Sequence, residues 1–156
     1  MLTLDLVRHG RALPSSPTGE MGRLLSAEGE AQVRDLAAIL AAAGFQPGRV
    51  FASPLARARQ TALLLAAAAR PPVEVETLPE LVPEHESDGV LRALEALGAV
   101  SGHVVLVGHM PQLAALCALL TGADLGFAPG MLRRIECRDG PAPGRGELVL
   151  ELPKRI

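Results

Sequence analysis

The stretch LTLDLVRHGR, residues 2–11, governs how the rest of the chain is read. Its first six residues alternate and are mostly aliphatic, which is the pattern of a β-strand. The run then breaks off into Arg8, His9, Gly10 and Arg11. Two cations around an imidazole, beside a glycine, make a poor core and a good site for an anion. A second stretch, HVVLVGHMP at residues 103–111, has the same form: an apolar strand ending in Gly-His. Gly10 and Gly108, beside the two histidines, allow close approach of backbone. Asp5 sits awkwardly in a strand covered on both faces, and the sequence offers only exposure on one face near the strand end as an explanation.

The neighbouring segments alternate in type. Pro14, Ser15, Ser16, Pro17 and Gly19 mark a loop. Ser26 caps a helix starting at about Ala27, with Val33, Leu36 and Leu40 on its apolar stripe and Gly44 as its stop. GRVFAS predicts a short strand at about 49–52, and Ser53-Pro54 opens a helix running to about Ala69. VEVE, residues 73–76, reads as a short strand, followed by the polar loop LPELVPEHESDG. A helix at about 89–98 precedes the strand HVVLVG, and Gln112 to Leu120 reads as another helix. GMLRRIECR and GELVLEL form a closing hairpin around DGPAPGRG. Within them, Arg133 and Arg134 read as surface positions, and His103 as solvent-facing.

Strands alternating with helices imply an α/β fold with a mostly parallel sheet covered on both faces, the closing pair being an antiparallel addition. One domain spans residues 1–156. In such sheets ligands bind where loops leave the carboxyl ends of the strands. LVRHG, FASPLAR and LVGHM are three such exits.

Composition narrows the function classes. The chain is 49% hydrophobic and 21% charged, with a net charge of −2. A general binder of nucleic acid or of membrane surfaces would need a basic excess, so both are excluded as partners. With three Phe, no Trp and no Tyr, base stacking has little to build on. No stretch reaches the roughly 18–20 apolar residues of a membrane span, and the first residues lack the features of a secretory signal. Cys117 and Cys137 lack metal-like spacing and read as buried free thiols, which makes a cytoplasmic location the default expectation.

If the three exits converge, the site gathers His9, His109, Arg8, Arg57 or Arg59, and Arg11. Arginine forks match phosphate oxygens and do not titrate away, so the expected ligand is a phosphoryl group. A neutral imidazole can attack phosphorus and form a phosphohistidine, while the second histidine donates to oxygens that gain charge. Glu80, Glu84 and His85 lie in the loop after another strand and are candidates for protonating a leaving group. HxH and HExxH spacings are absent and arginines repel cations, so no metal and no cofactor is expected.

LVRHG, then SPLARARQTA, then VGHMP resemble the three signatures of the histidine phosphatase superfamily, the phosphoglycerate-mutase-like branch, in order and spacing across nearly the whole chain. The resemblance implies a three-layer α/β/α sandwich with an antiparallel edge strand and a metal-free phosphohistidine mechanism. It implies His9 as nucleophile and Arg8 as its phosphate-binding neighbour. It also implies Arg57, rather than Arg59, as the second phosphate clamp, and His109 as the second histidine. Glu80, in LPEL, matches the family's acid, although the aromatic-glycine segment that usually follows is missing. Arg11 stands where Glu or Asp is common and becomes a possible substrate contact.

The length and LPELVP resemble the compact SixA-like phosphohistidine phosphatases. That implies a phosphohistidine-bearing protein as substrate, with a small phosphate monoester such as a sugar phosphate as the alternative. A phosphate- or phosphoprotein-binding domain without catalysis is the reading from another class. A mutase fits less well, because the chain is short and lacks a lid.

Overall fold

The computed structural model, which describes residues 1–153, follows this alternation. In chain order the elements are β1 (Leu2–Arg8), α1 (Ala27–Ala42), β2 (Arg49–Ala52), α2 (Ala56–Ala67), β3 (Val75–Thr77), α3 (Ser87–Ala96), β4 (Gly102–Gly108), α4 (Gln112–Thr121), β5 (Leu132–Cys137) and β6 (Gly146–Leu152). Single 3-10 turns lie at Glu20–Gly22 and Pro79–Leu81. The six strands form one sheet in the order β3-β2-β4-β1-β5-β6. β1 pairs parallel with β4, and β2 parallel with β3 and β4. β5 is antiparallel to β1, and the edge strand β6 is antiparallel to β5.

Period-two alternation along β1 and β4 divides the core between two faces. Leu2, Leu4 and Leu6 join Val104 and Leu106 under α3 and α4. Val7, Val105 and Val107 pack on the opposite face with Val33, Leu36 and Leu40 of α1 and Ala58, Ala62 and Leu65 of α2. These are the three layers of an α/β/α sandwich. Ser26 caps α1 by accepting the Gly29 N–H at 3.0 Å, and the chain turns away at Gly44 with φ +79°.

The element ends differ from the sequence reading where side chains have other partners. α2 starts at Ala56 rather than at Ser53-Pro54. The Ser53 hydroxyl accepts the Leu55 N–H and also meets His109, so it does not cap the helix. β3 is shifted toward its C-terminus, to Val75–Thr77, because its register on β2 starts at Val50↔Val75.

Asp5 is fully buried, which corrects the expectation of exposure. Its register partner is Arg134. Arg134 donates to both of its oxygens at 2.7 and 3.1 Å, and the His103 ring lies 2.6 Å from Oδ2. His103 and Arg134 therefore turn inward to a buried carboxylate and not to solvent, because an unpaired charge there would be costly. Arg133 is also buried: it pairs with Glu151 and its guanidinium lies 4.7 Å from the centre of the Phe127 ring. Asp5→Ala leaves Arg134 and His103 without their partner, and we expect a loss of about 3 kcal/mol in urea unfolding. Breaking the exposed Asp139–Arg145 pair with Asp139→Asn changes stability by about 0.5 kcal/mol or less.

Two glycines let the chain leave β1 under α1. A Cβ on Gly10 would lie 2.7 Å from the Gly29 carbonyl oxygen and 2.9 Å from Val33 Cγ2. The following loop is closed at its base by an antiparallel bridge between Ala12 and Leu25, with the Leu13 N–H on the Leu24 carbonyl at 2.8 Å. Among the described residues, no helix is long and apolar enough to cross a membrane.

Candidate active site

β1, β2 and β4 are neighbours and parallel, so their carboxyl ends deliver His9, Ser53 and His109 to one place. The His9 N–H is held by the Gly108 carbonyl at 3.2 Å. The two imidazoles lie with centroids 4.9 Å apart and planes tilted by 56°. Around them is an open pocket of about 530 Å³, lined by Arg8, His9, Arg11, Glu20, Arg23, Arg57 and His109, with Pro83, Met110 and Pro129 among its apolar walls.

The His9 ring is oriented from both sides. Its Nδ1 lies 2.7 Å from the Gly10 carbonyl oxygen. A carbonyl only accepts, so Nδ1 carries the proton and Nε2 keeps its lone pair. Arg57 Nε points at that Nε2 from 3.4 Å. Burial, opposed by the bond to Gly10, pushes the His9 pKa down to about 4, with the charges of Arg57, Arg8 and Arg23 adding to the fall. At neutral pH this histidine is therefore an uncharged base whose Nε2 lone pair accepts only the long bond from Arg57.

His109 is also held neutral. Burial pushes its pKa down to about 3, and His9, Arg57, Arg8 and Arg23 push the same way. Its Nε2 meets the Ser53 hydroxyl at 2.6 Å. If that hydroxyl donates, His109 Nδ1 carries a proton. Nδ1 is buried with no partner among the described residues, and the same holds for Arg8 Nε. Both groups belong to residues lining the pocket, and both suit the oxygens of an anion.

Arg57 is 4% exposed although it carries a charge. It reaches the site because α2 packs against the sheet with Thr61 facing inward. The Thr61 hydroxyl donates to the Arg57 carbonyl at 2.8 Å and accepts the Gly10 N–H at 3.2 Å, tying helix to nucleophile loop. Arg8 is anchored through its NH1 on the Phe127 carbonyl at 2.8 Å. Arg11 lines the pocket with its side chain 57% exposed, 3.6 Å from Glu28. Arg59 is exposed, on the outer side of the helix.

The carboxylates are arranged differently from the sequence reading. Glu80 is half-buried on its turn, its main-chain carbonyl accepts from Gln112, and it is not among the residues lining the pocket. Glu84 and His85 line a separate, adjoining cleft. Among the described residues lining the pocket, the carboxylate belongs to Glu20. Its Oε1 lies 3.1 Å from Arg57 NH2 and 2.8 Å from Arg23 NH2, and its Oε2 lies 2.8 Å from Arg23 Nε. Hydrogen bonding by Arg23 holds the Glu20 carboxyl below the usual range, and Arg57 adds to this.

Sequence reasoning passed over Glu20 and Arg23, which lie in a stretch read only as a loop. Their three-residue spacing within TGEMGR was the available signal. Ser53 and Thr61 belong to the SPLARARQTA phrase, and their bonds to His109 and to the Gly10 N–H give them structural roles at the site. A pocket of arginines, neutral imidazoles and one paired carboxylate is suited to an anion. Among the described residues, no group of three or more His, Cys, Asp or Glu is placed to hold a metal ion.

Comparison with known proteins agrees with this geometry. Residues 4–82 match the profile of the histidine phosphatase superfamily, branch 1. An uncharacterised protein of Picosynechococcus is 36% identical over 114 residues, which is 72% of this chain and 68% of its own. The structure of the protein histidine phosphatase SixA complexed with tungstate superposes with a TM-score of 0.83 at 24% identity, covering 96% of this chain and 95% of that one. A mycobacterial glucosyl-3-phosphoglycerate phosphatase complexed with VO3 gives 0.72 at 21% identity, with 95% and 97% covered. Phosphoserine phosphatase of Entamoeba histolytica, with 3-phosphoglyceric acid bound, gives 0.69 at 16% identity, with 97% and 96% covered. At these identities the structural likenesses speak for the fold.

Proposed function

The chain belongs to the histidine phosphatase superfamily, and from that premise we propose that it is a metal-independent phosphatase acting on phosphohistidine carried by a protein. The observation that carries the catalytic part is the His9 ring. Its Nδ1–H is tied to the Gly10 carbonyl, and its unprotonated Nε2 accepts a long bond from Arg57 Nε at 3.4 Å. In this reading Nε2 attacks phosphorus and the bond to the leaving group breaks. Arg8, Arg57 and His109 hold the three phosphoryl oxygens while charge builds on them. Water then attacks the phosphohistidine, the P–N bond to His9 breaks, and inorganic phosphate leaves with the proton water gave up.

The substrate class rests on the carboxylates. Glu20 is held ionised by its arginines, and Glu80 is not among the residues that line the pocket, so among the described lining residues no carboxylic acid stands ready to protonate a departing alkoxide. A phosphohistidine ring that has taken a proton from solvent on its other nitrogen departs as neutral imidazole, a far weaker base than an alkoxide, and tolerates that lack. Openness to a protein surface fits the same substrate. The function needs no cofactor, and residues 1–156 act as one domain. The unpaired thiols of Cys117 and Cys137 suit a cytoplasmic setting.

A small phosphate monoester is the second reading, favoured by the fold shared with the phosphoserine and glucosyl-3-phosphoglycerate enzymes. The test is a series of substrates of rising leaving-group pKa, assayed with EDTA present. We expect a phosphohistidine protein and aryl phosphates to be cleaved, and alkyl phosphates to react at least about 10²-fold more slowly for want of an acid. Equal rates on serine or sugar phosphates would overturn the phosphohistidine assignment. Loss of all activity in EDTA would overturn the metal-free mechanism. Phosphate binding without turnover of any substrate would make the chain a binding domain.

A further inference from the structure

We propose that Glu20 is a displaceable counter-ion of the phosphate clamp, and that it weakens the hold of this site on free inorganic phosphate. The inference deepens the reading above and rests on it for the identity of the ligand.

Arg57 has three nitrogens, and each is engaged. Nε faces His9, NH1 donates to the Glu20 carbonyl at 3.1 Å, and NH2 donates to Glu20 Oε1 at 3.1 Å. The planar fork that suits a phosphoryl group is thus shared between the Glu20 main-chain carbonyl and its carboxylate, and only NH2 faces a negative charge. A phosphoryl oxygen approaching NH2 must share it with Glu20 Oε1 or replace it.

Replacement is easy for three reasons visible in the structure. The Glu20 side chain is 66% exposed, so a carboxylate released from Arg57 is already largely in water. It also stays paired, because Arg23 grips both of its oxygens at 2.8 Å through Nε and NH2. And it sits on a 3-10 turn with no buried side chain of its own to hold it in place. Glu20 can therefore give up Arg57 and remain on Arg23.

The effect on ligands is unequal. Inorganic phosphate makes only phosphate contacts and feels the whole repulsion of the nearby carboxylate. A substrate bearing a larger group can also touch Pro83, Met110 and Pro129 on the pocket walls and offset that repulsion. Inorganic phosphate is also the product, so weaker binding of it favours release. A bracing role for Glu20 predicts the opposite sign: a carboxylate that merely positions Arg57 and Arg23 would strengthen phosphate binding, and its removal would loosen it.

The experiment is calorimetric titration of the free protein with inorganic phosphate, for the wild type, Glu20→Gln and Asp139→Asn, with thermal unfolding as a check on folding. Glu20→Gln keeps the size and one acceptor but removes the charge. We expect it to bind phosphate about tenfold more tightly at low ionic strength, an advantage that shrinks as salt is added. Asp139, exposed on the β5–β6 hairpin, is a control for net charge, and its replacement should change affinity by about twofold at most. Equal or weaker phosphate binding by folded Glu20→Gln would overturn the proposal. Because binding is read without turnover, that failure is separate from failure of the phosphatase reading, which would appear as no hydrolysis by a wild type that binds phosphate.

Discussion

His9→Ala removes turnover: kcat/KM for an aryl phosphate falls by about 10⁴-fold or more, and no phosphoryl group is trapped on the protein when the reaction is quenched. The size of the effect follows from geometry. The ring nitrogens are committed, Nδ1 to the Gly10 carbonyl and Nε2 to the pocket, so a neighbouring group cannot take over the attack from the same position. His109 is the nearest imidazole, but its Nε2 is engaged with Ser53. The substitution deletes a side chain at the pocket wall and leaves the Gly10–Gly29 contact alone, so the variant should fold. The protonation state adds a second mark. With its pKa held down to about 4, His9 is neutral above that point and cationic below it. Since only the neutral ring attacks, the acid limb of the wild-type kcat/KM profile falls near pH 4, well below the usual histidine range. A variant retaining a tenth of the wild-type rate would remove His9 from the nucleophile role.

Arg57→Ala has the next largest effect, a fall of about 10²–10³ in kcat/KM, with most of it in kcat. The guanidinium lies beside the attacking nitrogen, so its charge counts most as negative charge gathers on the phosphoryl oxygens. Arg57→Lys should recover little, because one ammonium cannot face His9 through one nitrogen and present a fork to an oxyanion with two others. Arg59→Ala, two residues along on the exposed side of the same helix, should stay within about twofold of the wild type. If Arg59→Ala and Arg57→Ala fell equally, the effect would come from α2 and not from the clamp.

Much of the molecule was legible because its signals are local. The alternation in LTLDLV and HVVLVG, the Ser26 cap and the Gly44 stop each act within a few residues, and the strand exits place Arg8, His9 and His109 by topology alone. Other features depend on register between distant strands. Asp5 looks misplaced until β5 is laid beside β1, which brings Arg134 opposite it and His103 alongside. Glu20 was hidden for a related reason: it lies in a loop without hydrophobic period, and its importance comes from Arg57, which is 37 residues away. Glu80 was legible from its phrase alone, while the bond that holds its turn, from Gln112 to its main-chain carbonyl, joins residues 32 apart and left no local sign.

The bridge between Ala12 and Leu25 sets apart the portion of the site carried by the loop from the portion carried by the sheet and α2. Arg8, His9, Arg57 and His109 come from strand ends and a packed helix, where any shift disturbs the core. Glu20 and Arg23 hang from a loop whose two stems are already joined, by that bridge, by the Leu13–Leu24 bond and by the Leu25 N–H on Gln60 at 2.7 Å. Residues inserted, removed or exchanged between those stems reshape the mouth without moving the nucleophile. The loop nonetheless reaches back into the clamp, because Glu20 engages two of the three Arg57 nitrogens, so exchanges within it retune the hold on the phosphoryl group while the nucleophile keeps its place on β1.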